Sequence, residues 1–187
     1  MHSASDFSKY TIKVALATAL LLTIPLLAMQ FSAEVVWTLR DFVMAGALLF
    51  GAGIAYGVVA RLSENMMYRF GVGLTVVTAL FMVWANLAVG LIGSEDEPAN
   101  LMYFGLLAVG FLGAVLVRFQ PAGMMRVLFA TAGSQVLITV IALFAGMQDY
   151  PGSSAIEILS VNGFFLILWL GAALLFRNAW LEKDRDA

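Results

Sequence analysis

The sequence predicts an all-α integral membrane protein with six transmembrane helices, and three observations carry that prediction. Charged residues fill only 12% of the 187 positions while hydrophobic ones fill 62%, and mean hydropathy is +0.94. A soluble domain has about a quarter of its residues charged. Second, short polar segments divide the chain into long apolar runs. The clearest divider lies in residues 84–105, where Glu95, Asp96, Glu97 and Pro98 separate two such runs. Third, the basic residues fall on alternate connections.

The spacing places helices at about 12–30, 42–60, 70–93, 98–117, 127–148 and 158–176, in one polytopic domain over 1–187. Each run is near the ~20 residues that a helix needs to cross hydrocarbon. Spanning strands would alternate apolar and polar side chains, and these runs do not. Lys9 and Lys13 precede the first run, a pattern shared with secretory signal peptides. Cleavage after Ala33 would put Phe31 where a small residue is required, so the segment reads as a retained span, with Pro25 placed to kink it. Residues 182–187 alternate acids and bases and read as a solvated extension of the last helix.

Charge sets the expected orientation. With the N-terminus inside, Lys9, Lys13, Arg61, Arg69, Arg118, Arg126, Arg177, Lys183 and Arg185 are cytoplasmic and only Arg40 is outside. The excess of bases on short inner loops predicts cytoplasmic termini. Trp37, Trp84, Tyr103 and Tyr150 then mark the outer boundary, and Tyr10, Tyr68 and Trp180 the inner one.

A repeated helical hairpin is a further expectation. Bases entering the odd helices (Lys13, Arg69, Arg126) and leaving the even ones (Arg61, Arg118, Arg177) recur about every 56–59 residues, and Gly51, Gly110 and Gly171 about every 60. The even helices are each preceded by a capping-box pattern: Thr38-x-x-Asp41, Ser94-x-x-Glu97 and Ser154-x-x-Glu157. Evenly sized hairpins that obey the charge rule would space their arginines in the same way, so only the caps and glycines argue independently for three copies.

Composition also narrows the functional classes. Twelve acids against ten bases leave no basic footprint for nucleic acid. There is no cysteine, and the single histidine is His2 at the chain's start, so thiolate, zinc and serine–histidine chemistry have almost nothing to work with. Beyond Lys13 at the edge of the first, none of the six expected spans contains Asp, Glu, Lys, Arg or His. Ion-coupled transporters and voltage sensors place such groups at depth. No cofactor is expected.

Several residues are candidates for a site. Glu95, Asp96 and Glu97 suit a hard cation chemically, but consecutive residues rarely converge on one ion, and capping and solubility explain them without a metal. Arg40 has the fork to clamp a carboxylate or phosphate, with a pair to Asp41 or another outer acid as the plainer reading. Thr23, Thr78 and Gln135 fall near mid-membrane and Asn86 closer to the outside, either lining a solute path or joining helices by hydrogen bonds. Thr75, Thr131, Ser134, Thr139 and Ser160 complete that polar set. Gly53 and Gly57 form a GxxxG, and Ala47 with Gly51 a second small pair; with Gly105 and Gly110 they read as packing positions. Met66, Met67, Met124 and Met125 read as adaptable packing rather than soft-metal handling.

Residues 84–103, with WANLAVG, then GSED, then PANLMY, resemble a group of small, uncharacterised multi-pass bacterial membrane proteins. The resemblance implies a bacterial inner (plasma) membrane and carries no activity, cofactor or site.

The leading functional expectation is a non-catalytic component, an accessory or assembly partner whose contacts are the lipid bilayer, other membrane subunits or further copies of itself. A small uncoupled channel or carrier is the alternative. An outer-face enzyme acting through Asp41, Glu95, Asp96, Glu97 or Asp149 ranks third, because no base is paired with a nucleophile.

Overall fold

The computed structural model describes residues 4–185. His2, Asp186 and Ala187 lie outside the described residues. The chain is an all-α multi-pass membrane protein: six helices are long and apolar enough to cross a membrane, with no strand among the described residues. They are α1 (Ala4–Phe31), α2 (Leu39–Val59), α3 (Met66–Ala88), α4 (Leu101–Leu116), α5 (Pro121–Phe144) and α6 (Ala155–Arg185). Short 3-10 turns at Ala60–Leu62, Pro98–Asn100 and Met147–Asp149 join them. Two compact units result, dividing after Val58.

The first unit is the α1–α2 hairpin. Its helices run antiparallel, because Tyr10 lies over Gly57, Val14 against Gly53 and Leu22 beside Gly46. A Cβ at Gly53 would sit 2.5 Å from Val14 Cγ1. The Tyr10 hydroxyl donates to the Gly53 carbonyl at 2.7 Å. In lipid the hydrophobic effect does not drive helices together, so such close approach and hydrogen bonding are what hold the pair. The capping box at Thr38 is formed: Thr38 N and Oγ1 donate to Asp41 Oδ2 at 2.7 and 2.8 Å, and Asp41 N returns to Thr38 Oγ1 at 3.4 Å.

The second unit comprises α3 to α6, with α6 packed against both α3 and α5, and α4 packed against α5. Small residues set the distances. Gly71 receives the Phe176 ring, Gly171 faces Leu74, Gly113 faces Val127 and Gly123 faces Val117. Ala172 and Ala173 are fully buried on α6. Aromatic edges close the α3–α6 contact, Tyr68 on Phe176 at 5.2 Å and Phe81 on Phe164 at 5.8 Å. The two hairpins of this unit are packed unequally: α5 and α6 meet along their length, whereas α3 and α4 barely touch.

Several helix limits differ from the sequence expectation, and those of α1, α3, α5 and α6 move furthest. Helix α3 ends at Ala88, not 93, because Gly90 takes a left-handed φ of 75° and residues 91–92 fold back into the protein as buried loop. Helix α5 begins at Pro121, whose fixed φ suits the first helical position, so Arg126 lies inside the helix. Helix α6 runs through Ala155–Arg185, which carries the expected extension, and α1 begins at Ala4 rather than 12. The box expected at Ser94 does not form: α4 is entered through Glu97 and Pro98, and only the Ser94 backbone carbonyl accepts from Glu97 N, at 3.1 Å. At α6 the Ser154 hydroxyl accepts from Glu157 N at 3.1 Å.

The glycines thereby separate into two groups with opposite expected behaviour. Gly57→Leu drives a side chain into Tyr10, and overpacking of this kind costs about 1–3 kcal/mol. Gly51→Leu enters open space, since nothing lies within 4 Å of a Cβ there. Melting of the detergent-solubilised protein should fall for Gly57→Leu and hold for Gly51→Leu.

Candidate functional site

The second unit is fastened by a buried polar network across three helices. Asn162 on α6 is 2% exposed and Gln135 on α5 is 0% exposed. Gln135 Nε2 donates to Asn162 Oδ1 at 2.6 Å, and the Tyr103 hydroxyl on α4 donates to the same oxygen at 3.1 Å. Asn162 Nδ2 donates to the Ile158 carbonyl at 2.8 Å, and Trp169 Nε1 donates to Gln135 Oε1 at 3.3 Å.

The proton arrangement follows from the two ends of this chain. A backbone carbonyl only accepts, so Asn162 must present its NH2 to Ile158 and its oxygen to Tyr103 and Gln135. An indole N–H only donates, so Gln135 must turn its oxygen to Trp169. Asn162 Oδ1 then accepts twice, and both of its lone pairs are used. Reversing either amide would set donor against donor.

A second polar centre shapes the connection between α3 and α4. Asn100 is 4% exposed, and its amide makes four hydrogen bonds. Oδ1 accepts from Leu91 N at 2.9 Å and Ile92 N at 3.0 Å, and Nδ2 donates to Ile92 O at 3.1 Å and Ser94 O at 2.7 Å. Two acceptor and two donor positions are all that an amide has. Gly90 is required here, since a Cβ would lie 2.5 Å from the Ser94 carbonyl oxygen. Gly93 brings the loop against Tyr150 and Pro151, so the α3–α4 and α5–α6 connections pack together.

The candidate residues read from the sequence divide accordingly. Gln135 enters the network. Thr78 is fully buried, but its hydroxyl donates within its own helix, to Leu74 O at 2.7 Å. Asn86 donates to Asn100 O at 3.3 Å, and its buried Oδ1 has no protein donor. Thr23, in the first unit, donates to Leu20 O at 2.6 Å. Among the described residues no hydrogen bond joins Thr78, Asn86 and Gln135 into one layer. Arg40 is exposed on the first unit, where Asp41 is engaged by Thr38. Glu95 and Asp96 are exposed on the second unit and Glu97 is half-buried. Among the described residues no group of three acids or histidines is placed to hold a metal ion. Of the packing set, Gly53 and Gly57 receive α1, and Gly110 lies 3.3 Å (as a built Cβ) from Thr131 Oγ1. Ala47 and Gly51 are exposed on the first unit and Gly105 on the second, and nothing lies within 4 Å of a Cβ built at either glycine.

The polar set read from the sequence omits Asn162, the residue on which the network turns. Its signal was present: Ile158, Asn162, Phe165 and Trp169 recur at helical spacing on one face, and all four are buried. No family model, curated protein or solved structure matches the chain.

Asn162→Leu should be the more damaging of two near-isosteric changes. It strips the acceptor from both Tyr103 and Gln135, and each buried donor left unsatisfied costs about 1–3 kcal/mol. Gln135→Leu strands the Trp169 N–H and frees one lone pair of Asn162. The double variant should be less destabilised than the sum of the two, as read by unfolding in mixed micelles. Additive losses would mean that the two amides do not act as a pair.

Proposed function

We propose that the chain is a non-catalytic multi-pass membrane protein that serves as an accessory or assembly component of a membrane complex. The observation that carries this reading is that the buried amides of Gln135, Asn162 and Asn100 are engaged with one another, with the Tyr103 and Trp169 side chains and with backbone. Gln135, Asn162 and Asn100 build the second unit and leave little free chemistry at depth. The outward-facing small residues Ala47, Gly51 and Gly105 are open to close approach by another helix, which supports an assembly role. Native mass spectrometry of the protein extracted from its own membranes in mild detergent tests the reading. A stoichiometric second protein is the expected result. A monomer or homo-oligomer without a companion would overturn it and bring forward the channel or carrier, to be tried by solute flux through Gln135→Leu and Asn86→Leu variants.

The same proposal places the chain in a bacterial inner membrane with cytoplasmic termini. Support comes from the charge division within the second unit. Glu95, Asp96, Glu97, Asp149 and Glu157 lie at the connections α3–α4 and α5–α6, while Arg61, Arg69, Arg118, Arg126 and Arg177 lie towards the opposite helix ends. Because the chain has no cysteine, single cysteines report cleanly. Ser94→Cys is expected to react with an impermeant maleimide in intact cells, and Ser63→Cys only after permeabilisation. The reverse pattern would invert the topology.

A further inference from the structure

We propose that Arg118 and Arg126 together hold the headgroup of an anionic phospholipid at the α4–α5 turn. The argument begins with the outer face of α5. Met124, Val127, Leu128, Thr131, Gln135 and Ile138 are buried against the other helices. The opposite stripe, Phe129, Gly133, Val136, Val140 and Phe144, is exposed and wholly apolar, as a lipid-facing surface must be. Arg126 stands on that same stripe and is its only charge.

Its depth makes the charge consequential. Arg126 lies five positions beyond Pro121, so its Cα is about 7.5 Å along the helix from the start. A guanidinium facing lipid there does not remain in hydrocarbon. Its stem lies along the helix and its head reaches back to the interface. The α4–α5 turn occupies that end of the helix.

The turn presents a second guanidinium. Arg118 and Phe119 both adopt left-handed backbone, with φ of 53° and 58°, which closes the connection within a few residues. Phe119 is fixed from behind, because its carbonyl accepts from the Tyr68 hydroxyl at 2.9 Å, while Arg118 stays exposed. Neither guanidinium has a hydrogen-bond or ion-pair partner among the described residues. Two unpaired planar forks at the depth of the phosphate layer suit a phosphodiester, which each can bind through paired N–H donors. The surrounding helix ends add Arg69, Arg177, Lys183 and Arg185 against Glu64, Glu182 and Asp184, and Glu182 is engaged by Asn65 Nδ2 at 2.7 Å. That surplus of positive charge favours a lipid with net negative charge over a zwitterionic one.

The test is native mass spectrometry of the full chain in micelles doped with equal amounts of phosphatidylglycerol and phosphatidylcholine of matched acyl chains. The wild-type protein is expected to retain the glycerol lipid preferentially, by about fivefold for each arginine engaged. The double variant R118Q/R126Q should lose the preference, and R185Q, which removes a single positive charge from the α6 extension, should keep it. R126K serves where the double variant fails to fold, and should weaken retention because it keeps the charge but loses the fork. Equal retention of the two lipids by wild type, an equal loss in R185Q, or full retention in R126K and the double variant would each overturn the proposal. Displacement of the lipid by millimolar inorganic phosphate would also overturn it, by assigning the site to the free ion.

Discussion

Hydrocarbon offers no hydrogen-bonding partner, and most of this structure follows from that constraint. Backbone groups satisfy it by forming helices. Side chains satisfy it by pairing, and the pairing that matters most is Gln135 with Asn162. That bond, at 2.6 Å, joins α5 to α6, and its acceptor oxygen also takes the Tyr103 hydroxyl from α4. A single side-chain hydrogen bond in a membrane protein contributes on average only about 0.6 kcal/mol, so the network does not hold the unit together by strength alone. It selects the register. Sliding α6 by one residue along α5 would leave two amides, an indole and a phenol unsatisfied at once.

Close packing then does what water-driven burial does in a soluble domain. Glycine or alanine marks the contacts where helices approach most closely, as at Gly53 and Gly57 in the first unit and at Gly71, Gly113 and Gly123 in the second. Identical residues elsewhere have no such role. Gly51, Gly105 and Gly133 have nothing within 4 Å of a built Cβ. A glycine in an apolar helix states that a close approach is permitted, and the facing side chain decides whether one occurs.

This explains which features could be read from the sequence. The six helices were legible because charge marks their ends, and an uncharged run of this length has few other places to go. Helix limits were less legible. Residues 89–93 are as apolar as the helix before them, and only Gly90 and the distant Asn100 turn them into a folded loop. Capping patterns succeeded at Thr38, where the acid can reach back, and failed at Ser94, where Pro98 starts the turn instead. The polar site was legible in part. Gln135 stands out in a run of aliphatics, whereas Asn162 is found only by following one face of α6 through Ile158, Phe165 and Trp169. Which small residues face lipid was not legible, since helices apolar on every side have little pattern to mark their buried face.

The buried network also bears on the choice between a scaffold and a path. A polar solute crossing at the level of Gln135 would have to replace its bonds to Asn162 and Trp169 during passage, and Asn162 would have to give up an acceptor shared with Tyr103. Each exchange must return the same donors to the same acceptors, or α4, α5 and α6 lose their common register. Transport proteins resolve this conflict with ionisable groups or discontinuous helices that present free backbone at depth. Here the amides are neutral, the helices that carry them are continuous, and the buried amide oxygens without a protein donor among the described residues, Asn86 Oδ1 and Gln148 Oε1, lie beside or within the connecting loops. Such an arrangement serves best when it never opens, and that is the physical ground on which the scaffold reading is proposed over a path.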